Sequence, residues 1–173
     1  MFARPPFLVP IILAALLAGC GDGGLEAVGF ARVTGPELDT RFELTSLTRL
    51  DDVDASAEGR LTGSCEIVRE RIDGAAQYGA VVDLRRTSDA EDQGLRRLTV
   101  MARSDDASTG IVEATLGATL FQSTADCEVQ VDWQNAGSGF MDISAQCDVE
   151  AEGRDALALD VELDFSGCTV IDG

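Results

Sequence analysis

Cys127-Glu128-Val129-Gln130-Val131-Asp132-Trp133 places apolar or cysteine residues at every odd position and polar residues at every even one. A period of two is the mark of a strand with one face in a core and the other in water. The next residues, Gln134-Asn135-Ala136-Gly137-Ser138-Gly139, are rich in turn formers, and a second alternating stretch runs from Phe140 to Cys147. A hairpin centred on Gly137 sets Trp133 opposite Met141, Val131 opposite Ile143, Val129 opposite Ala145 and Cys127 opposite Cys147. This register gathers every apolar member on one face, and a slip of one residue would turn them all outward. Directly opposed residues have Cβ atoms about 4.5–5.5 Å apart, within reach of a disulfide for the closer pairs. The hairpin therefore predicts a Cys127–Cys147 bridge and, by elimination, a Cys65–Cys168 bridge.

The same pattern recurs along the chain. Cys65-Glu66-Ile67 is similar to Cys127-Glu128-Val129, a turn is expected at Asp73-Gly74, and Tyr78 falls where Phe140 falls in the later hairpin. The correspondence fits either an internal duplication of a β-meander or a chance likeness. Further strands are expected from Ala27 to Val33, Arg96 to Ala102, Thr109 to Phe121 and Leu157 to Phe165. The last of these sets Leu157, Leu159, Val161, Leu163 and Phe165 against Asp160, Glu162 and Asp164. Thr34-Gly35-Pro36-Glu37 has the form of a helix start, with Pro at the first helical position and Glu three residues after Thr. Arg41 to Leu50 fits either helix or strand. Many short strands with little helix predict an all-β domain, an antiparallel β-sandwich or open barrel with two disulfides and at most one short helix.

The N-terminus carries an address. Arg4 precedes an apolar run from Phe7 to Leu17, which is too short to cross a bilayer as a permanent helix and reads as a signal peptide. Leu17-Ala18-Gly19-Cys20 follows, and it resembles the lipobox of bacterial lipoproteins. The resemblance covers about twenty residues and is close at all four lipobox positions. It implies cleavage after residue 19, a diacylglyceryl group on the Cys20 sulfur, and acylation of the new amino terminus. Two or three acyl chains, at about 0.8 kcal/mol per buried methylene, hold a protein firmly where one chain holds it marginally. In the enterobacterial members an aspartate directly after the cysteine favours the inner membrane. Here that residue is Gly21, with Asp22 one place later, so the resemblance implies the outer membrane over the inner. The expected organisation is a signal over 1–19, a lipidated cysteine and tether over 20–24, and a single β domain over 25–173. The tether Gly21-Asp22-Gly23-Gly24 spans at most about 14 Å when stretched.

Charge and residue types exclude much chemistry. The chain has 31 Asp and Glu against 13 basic residues, all of them Arg, for a formal net charge of −18. Such a surface repels nucleic acid and anionic headgroups. There is no histidine, which removes Ser-His-Asp triads, Cys-His nucleophiles and imidazole metal sites, and no lysine for Schiff-base or Ser-Lys mechanisms. The four remaining cysteines contain no Cys-x-x-Cys spacing, so they read as disulfides and not as zinc or redox sites.

Carboxylates alone could hydrolyse a glycosidic bond. An aromatic-lined cleft is also needed, however, and the chain has one Trp and one Tyr. Trp133 is expected to be a core residue, and Tyr78 an edge or core residue.

Three loops are dense in acid: Asp51-Asp52-Val53-Asp54 with Glu58, Asp89-Ala90-Glu91-Asp92, and Asp105-Asp106. The first departs from the EF-hand pattern, with Ala57 in place of its glycine and Gly63 in place of its closing glutamate. A calcium site built from two loops would draw on Asp51, Asp52, Asp54, Asp89, Glu91 and Asp92.

The expected function is a non-enzymatic structural or interaction module without a cofactor. It would be held in the cell envelope by lipid on Cys20, facing the periplasm or the surface, with a protein or glycan partner. The alternatives are a calcium-dependent glycan- or protein-binding module and a carboxylate-only hydrolase.

Overall fold

A computed structural model describes residues 24–50, 61–87, 94–125 and 127–173. The strands are β1 (Glu26–Gly35), β2 (Leu38–Arg49), β3 (Leu61–Ile72), β4 (Ala75–Arg86), β5 (Leu95–Arg103) and β6 (Asp106–Leu116). They continue with β7 (Thr119–Ser123), β8 (Glu128–Asp132), β9 (Phe140–Glu150), β10 (Leu157–Ser166) and β11 (Thr169–Asp172). One sheet joins them in the order β11-β3-β4-β5-β6-β7-β9-β10-β1-β2, and β8 pairs with β9 beside this path. Every ladder is antiparallel except β11 on β3. Among the described residues, the helical structure is a single 3-10 turn, Ala136–Ser138, between β8 and β9.

The sheet curls into an open half-barrel because β2 folds back over the other half of the molecule. The Leu95 amide donates to the Thr40 hydroxyl, Arg86 donates to the Arg41 carbonyl, and the Arg86 guanidinium lies 5.0 Å from the Phe42 ring centre. The Leu50 amide donates to the Leu25 carbonyl, and the Gly63 amide to the Leu50 carbonyl. Thus β2 crosses the start of β5, the end of β4 and the start of β3 in turn. The enclosed core collects the inward residues of both halves, among them Phe42, Leu44, Ile67, Leu84, Leu98, Met141, Ile143 and Leu163.

The central hairpin takes the register that its alternation demands. Val129 pairs with Ala145 and Val131 with Ile143, and the two disulfides are Cys127–Cys147 and Cys65–Cys168. β3 and β4 meet at a two-residue turn, Asp73-Gly74, with φ of 52° and 85°. Positive φ at both positions is the geometry that matches the right-handed twist of flanking strands.

Two expectations are corrected. Thr34 to Glu37 starts no helix: Gly35 pairs with Leu38, so Pro36 and Glu37 form a tight turn between β1 and β2. The fixed φ of proline suits a turn as well as a first helical turn. The strands on either side, with buried Val33 and Phe42, decide the matter. The run from Thr109 to Phe121 is two strands, because Gly117 at φ 56° reverses the chain and Leu116 pairs with Thr119. Arg41 to Arg49 is strand throughout, as part of β2.

Between Ser123↔Val149 and Glu128↔Gln146 the chain uses four residues, Thr124 to Cys127, against two on β9. The Cys127–Cys147 bridge ties the sheet together where this ladder lapses. The Thr124 amide still reaches the Asp148 carbonyl, and the Cys127 amide the Thr124 carbonyl. A second irregularity lies in β1, where the register shifts between Ala27 and Gly29. Gly29 takes φ 125°, and a Cβ there would collide with the Glu162 carbonyl of β10.

Gly29→Ala is therefore expected to lose about 2–4 kcal/mol of stability in urea denaturation, through backbone strain and overpacking together. An unchanged midpoint would contradict the bulge geometry. The disulfides close loops of unequal length, with sequence separations of 103 for Cys65–Cys168 and 20 for Cys127–Cys147. Loop-closure entropy predicts that removing them as serine pairs costs about 4.7 and about 3.3 kcal/mol, respectively. Denaturation of the two double variants checks the order, and the reverse order would count against it.

Candidate functional site: the carboxylate face of β8, β9 and β10

The inward register of β8, β9 and β10 dictates what lies outside. Since side chains alternate, burying Val129, Met141, Ile143, Ala145, Val161 and Leu163 turns their neighbours to solvent. Pairing then lines up three carboxylates across three strands: Asp132 faces Asp142, and Asp142 faces Asp164. The next row is Gln130, Ser144, Glu162 and Phe30. The row after it is Glu128, Gln146, Asp160 and Arg32. Shallow grooves run between these rows, one lined by Asp132, Asp142, Ser144, Glu162 and Asp164, and its neighbour by Glu128, Gln130, Gln146 and Asp160.

Little on this face offsets the charge. Arg32 is engaged by Asp39 of β2 through two hydrogen bonds. Glu128 accepts from the Gln130 side chain at 3.0 Å, and Asp132 accepts from the Gln134 amide at 2.8 Å. Partial burial, and then the charges of Asp164 and Asp132, push the Asp142 carboxyl above the usual range. Like charges placed directly opposite on neighbouring strands are destabilising.

The contrast is Asp83 on β4, where burial works against the anion but hydrogen bonds from Arg97 and Arg85 outweigh it and hold the carboxyl below its usual range. The carboxylates of β8, β9 and β10 are set at strand spacing on an open face. Among the described residues no three Asp, Glu, Cys or His side chains converge as a metal-holding group.

The two residues suited to stacking on a sugar stack on each other. Tyr78 and Trp133 lie with ring centres 6.1 Å apart and planes 11° from parallel. Trp133 follows the last ladder residue of β8 and is half-buried against the core, not enclosed in it as its place in the alternation suggested. Tyr78 is half-buried too, and its backbone amide donates to the Ser104 hydroxyl at 2.8 Å. Each ring thus gives one face to the other, which is an offset aromatic contact of ordinary geometry.

The six residues weighed as calcium ligands, Asp51, Asp52, Asp54, Asp89, Glu91 and Asp92, lie outside the described residues, and so does Cys20. Of the third acid-rich loop, Asp105 accepts from Arg103 at 2.9 and 3.0 Å. Sequence reading missed the Asp132-Asp142-Asp164 row. The hairpin register already set Asp132 against Asp142, but the third member needed the pairing of β10 with β9. Among the described residues no helix is long and apolar enough to cross a membrane. No family model, no curated protein and no solved structure matches the chain.

The row has a direct consequence for pH dependence. A folded Asp142 with a raised value binds its proton more tightly than the unfolded chain does. Its favourable contribution is therefore present in acid and lost as pH rises through the folded value. Asp142→Asn is expected to gain about 0.5 kcal/mol at neutral pH, a figure kept small by solvent screening. The gain should vanish below the ordinary carboxylate range. Thermal melts of both proteins across that range test it, and a variant no more stable than its parent at neutral pH would refute the repulsion.

Proposed function

We propose that this chain is a lipoprotein of the bacterial cell envelope, a non-enzymatic β module that serves as a structural or interaction component at the outer membrane. The observation that carries the reading is Leu17-Ala18-Gly19-Cys20 after an apolar run of signal length. The paired cysteines support it, because two disulfides in a small domain are a feature of oxidising compartments outside the cytoplasm. So does the layout of the chain, since the first strand starts at Glu26, only a few residues after the lipid-bearing cysteine.

The role of the domain follows from what its surface favours and opposes. A net charge of −18 disfavours nucleic acid and other polyanions. The stiff, disulfide-stapled sheet suits a scaffold presented close to a membrane, with a protein or a glycan as its partner.

Mass spectrometry of the protein isolated from cell membranes tests the anchor. The expected N-terminal peptide begins at Cys20 and carries a diacylglyceryl group with an additional acyl chain. Cys20→Ala is expected to remove the lipid and stop maturation of the precursor. A mature chain that begins elsewhere, or an unlipidated Cys20 in the membrane fraction, would overturn the reading.

A further inference from the structure

We propose that a cavity at one end of the half-barrel binds a zwitterion with an apolar body: an apolar amino acid, or a short apolar peptide with both ends free.

The cavity lies where β1 turns into β2, β6 into β7 and β9 into β10, and the strand ends leave the core partly uncovered there. Leu116 of β6, Phe121 of β7 and Leu157 of β10 are core residues that keep 6%, 6% and 8% of their surface, and all three line one space of about 620 Å³. Leu38 of β2, half-buried against the core, lines it with them. Gly35 gives Leu157 its room beside β1, since a Cβ at that position would collide with the Leu157 Cδ2. The volume is that of a small-molecule site, and barrel mouths are a preferred place for one. The grooves between the carboxylate rows are smaller, about 400 and 420 Å³, and most of the residues lining them are polar.

The rim sets the charges of the ligand. Glu37, in the turn after β1, and Arg154 and Asp155, in the segment before β10, stand exposed at the edge of the cavity. Arg32, Arg41, Arg69, Arg85, Arg97 and Arg103 each stand on a carboxylate, whereas Arg154 stands on none among the described residues. Glu37 and Asp155 likewise meet no arginine among them. Both signs are therefore unspent on one rim above an apolar floor. A simple amine would leave Arg154 opposing it, and a simple acid would face two carboxylates. A zwitterion places its ammonium toward Glu37 and Asp155, its carboxylate toward Arg154, and its side chain on Leu116 and Phe121. Having no net charge, it also escapes the repulsion that a chain of −18 exerts on anions.

The test is titration calorimetry of the full-length lipidated protein in vesicles at pH 6.5, against protein-free vesicles, with three probes. These are the dipeptide Leu-Phe, its N-acetyl form, which lacks the ammonium, and its C-terminal amide, which lacks the carboxylate. Leu-Phe is expected to bind about two- to fivefold more tightly than either blocked form, the range of exposed ion pairs. Arg154→Gln is expected to erase the advantage over the amide alone, and the double variant Glu37→Gln, Asp155→Asn the advantage over the acetyl form alone. The overall charge of the chain cannot produce that crossed pattern. Thr119→Trp, which puts a ring into the cavity, is expected to weaken all three probes, with a thermal melt confirming that the variant is folded. If it is not folded, the charge variants decide. Blocked forms that bind as well as Leu-Phe, charge variants that affect both blocked forms alike, or no binding by any probe at millimolar concentration overturn the proposal.

Discussion

The structure depends on the inward register of β9. This strand pairs with β7, β8 and β10, and it sends Met141, Ile143, Ala145 and Val149 into the core. Because the side-chain period is two, a slip of one residue in β9 would turn all four outward together. The same choice turns Asp142, Ser144, Gln146 and Asp148 outward, and it brings Asp142 between Asp132 and Asp164. The repulsion on the outer face is thus tied to the burial on the inner one. A fully buried Ile or Met side chain is worth roughly 1.5–3 kcal/mol, against a few tenths for a screened pair of like charges, so the core decides.

What could be read in the sequence was whatever depends on near neighbours. The Cys127 to Cys147 hairpin was legible because alternation, a turn-rich centre and two cysteines all agree on one register. Asp73-Gly74 was legible because it joins two alternating stretches with residues that tolerate positive φ. Pro36-Glu37 was not, since the same residues serve a helix start and a hairpin turn, and only the pairing of β1 with β2 decides between them. The division of β6 from β7 rests on one glycine, Gly117, within a run that alternates on both sides of it.

Long-range pairings were beyond local pattern. Nothing near β10 names both β9 and β1 as its neighbours, and nothing near Thr169 announces a parallel strand on β3. The closing contacts of β2 with Arg86 and Leu95 follow from the curl of the whole sheet. The carboxylate row inherits this limit, because it is built from three strands. Trp133 shows the limit at a single residue: alternation put it on the core face, but the ladder ends at Asp132, and the ring stacks on Tyr78 at the margin of the core.

The inward register of β9 sets Cys127 against Cys147, and the parallel seat of β11 on β3 brings Cys168 to Cys65. Peptide mapping of the protein purified without reductant tests these pairings. Two linked peptide pairs are expected, one joining Cys127 to Cys147 and the other joining Cys65 to Cys168. Crossed pairs such as Cys65 with Cys127, or four free thiols, would contradict them.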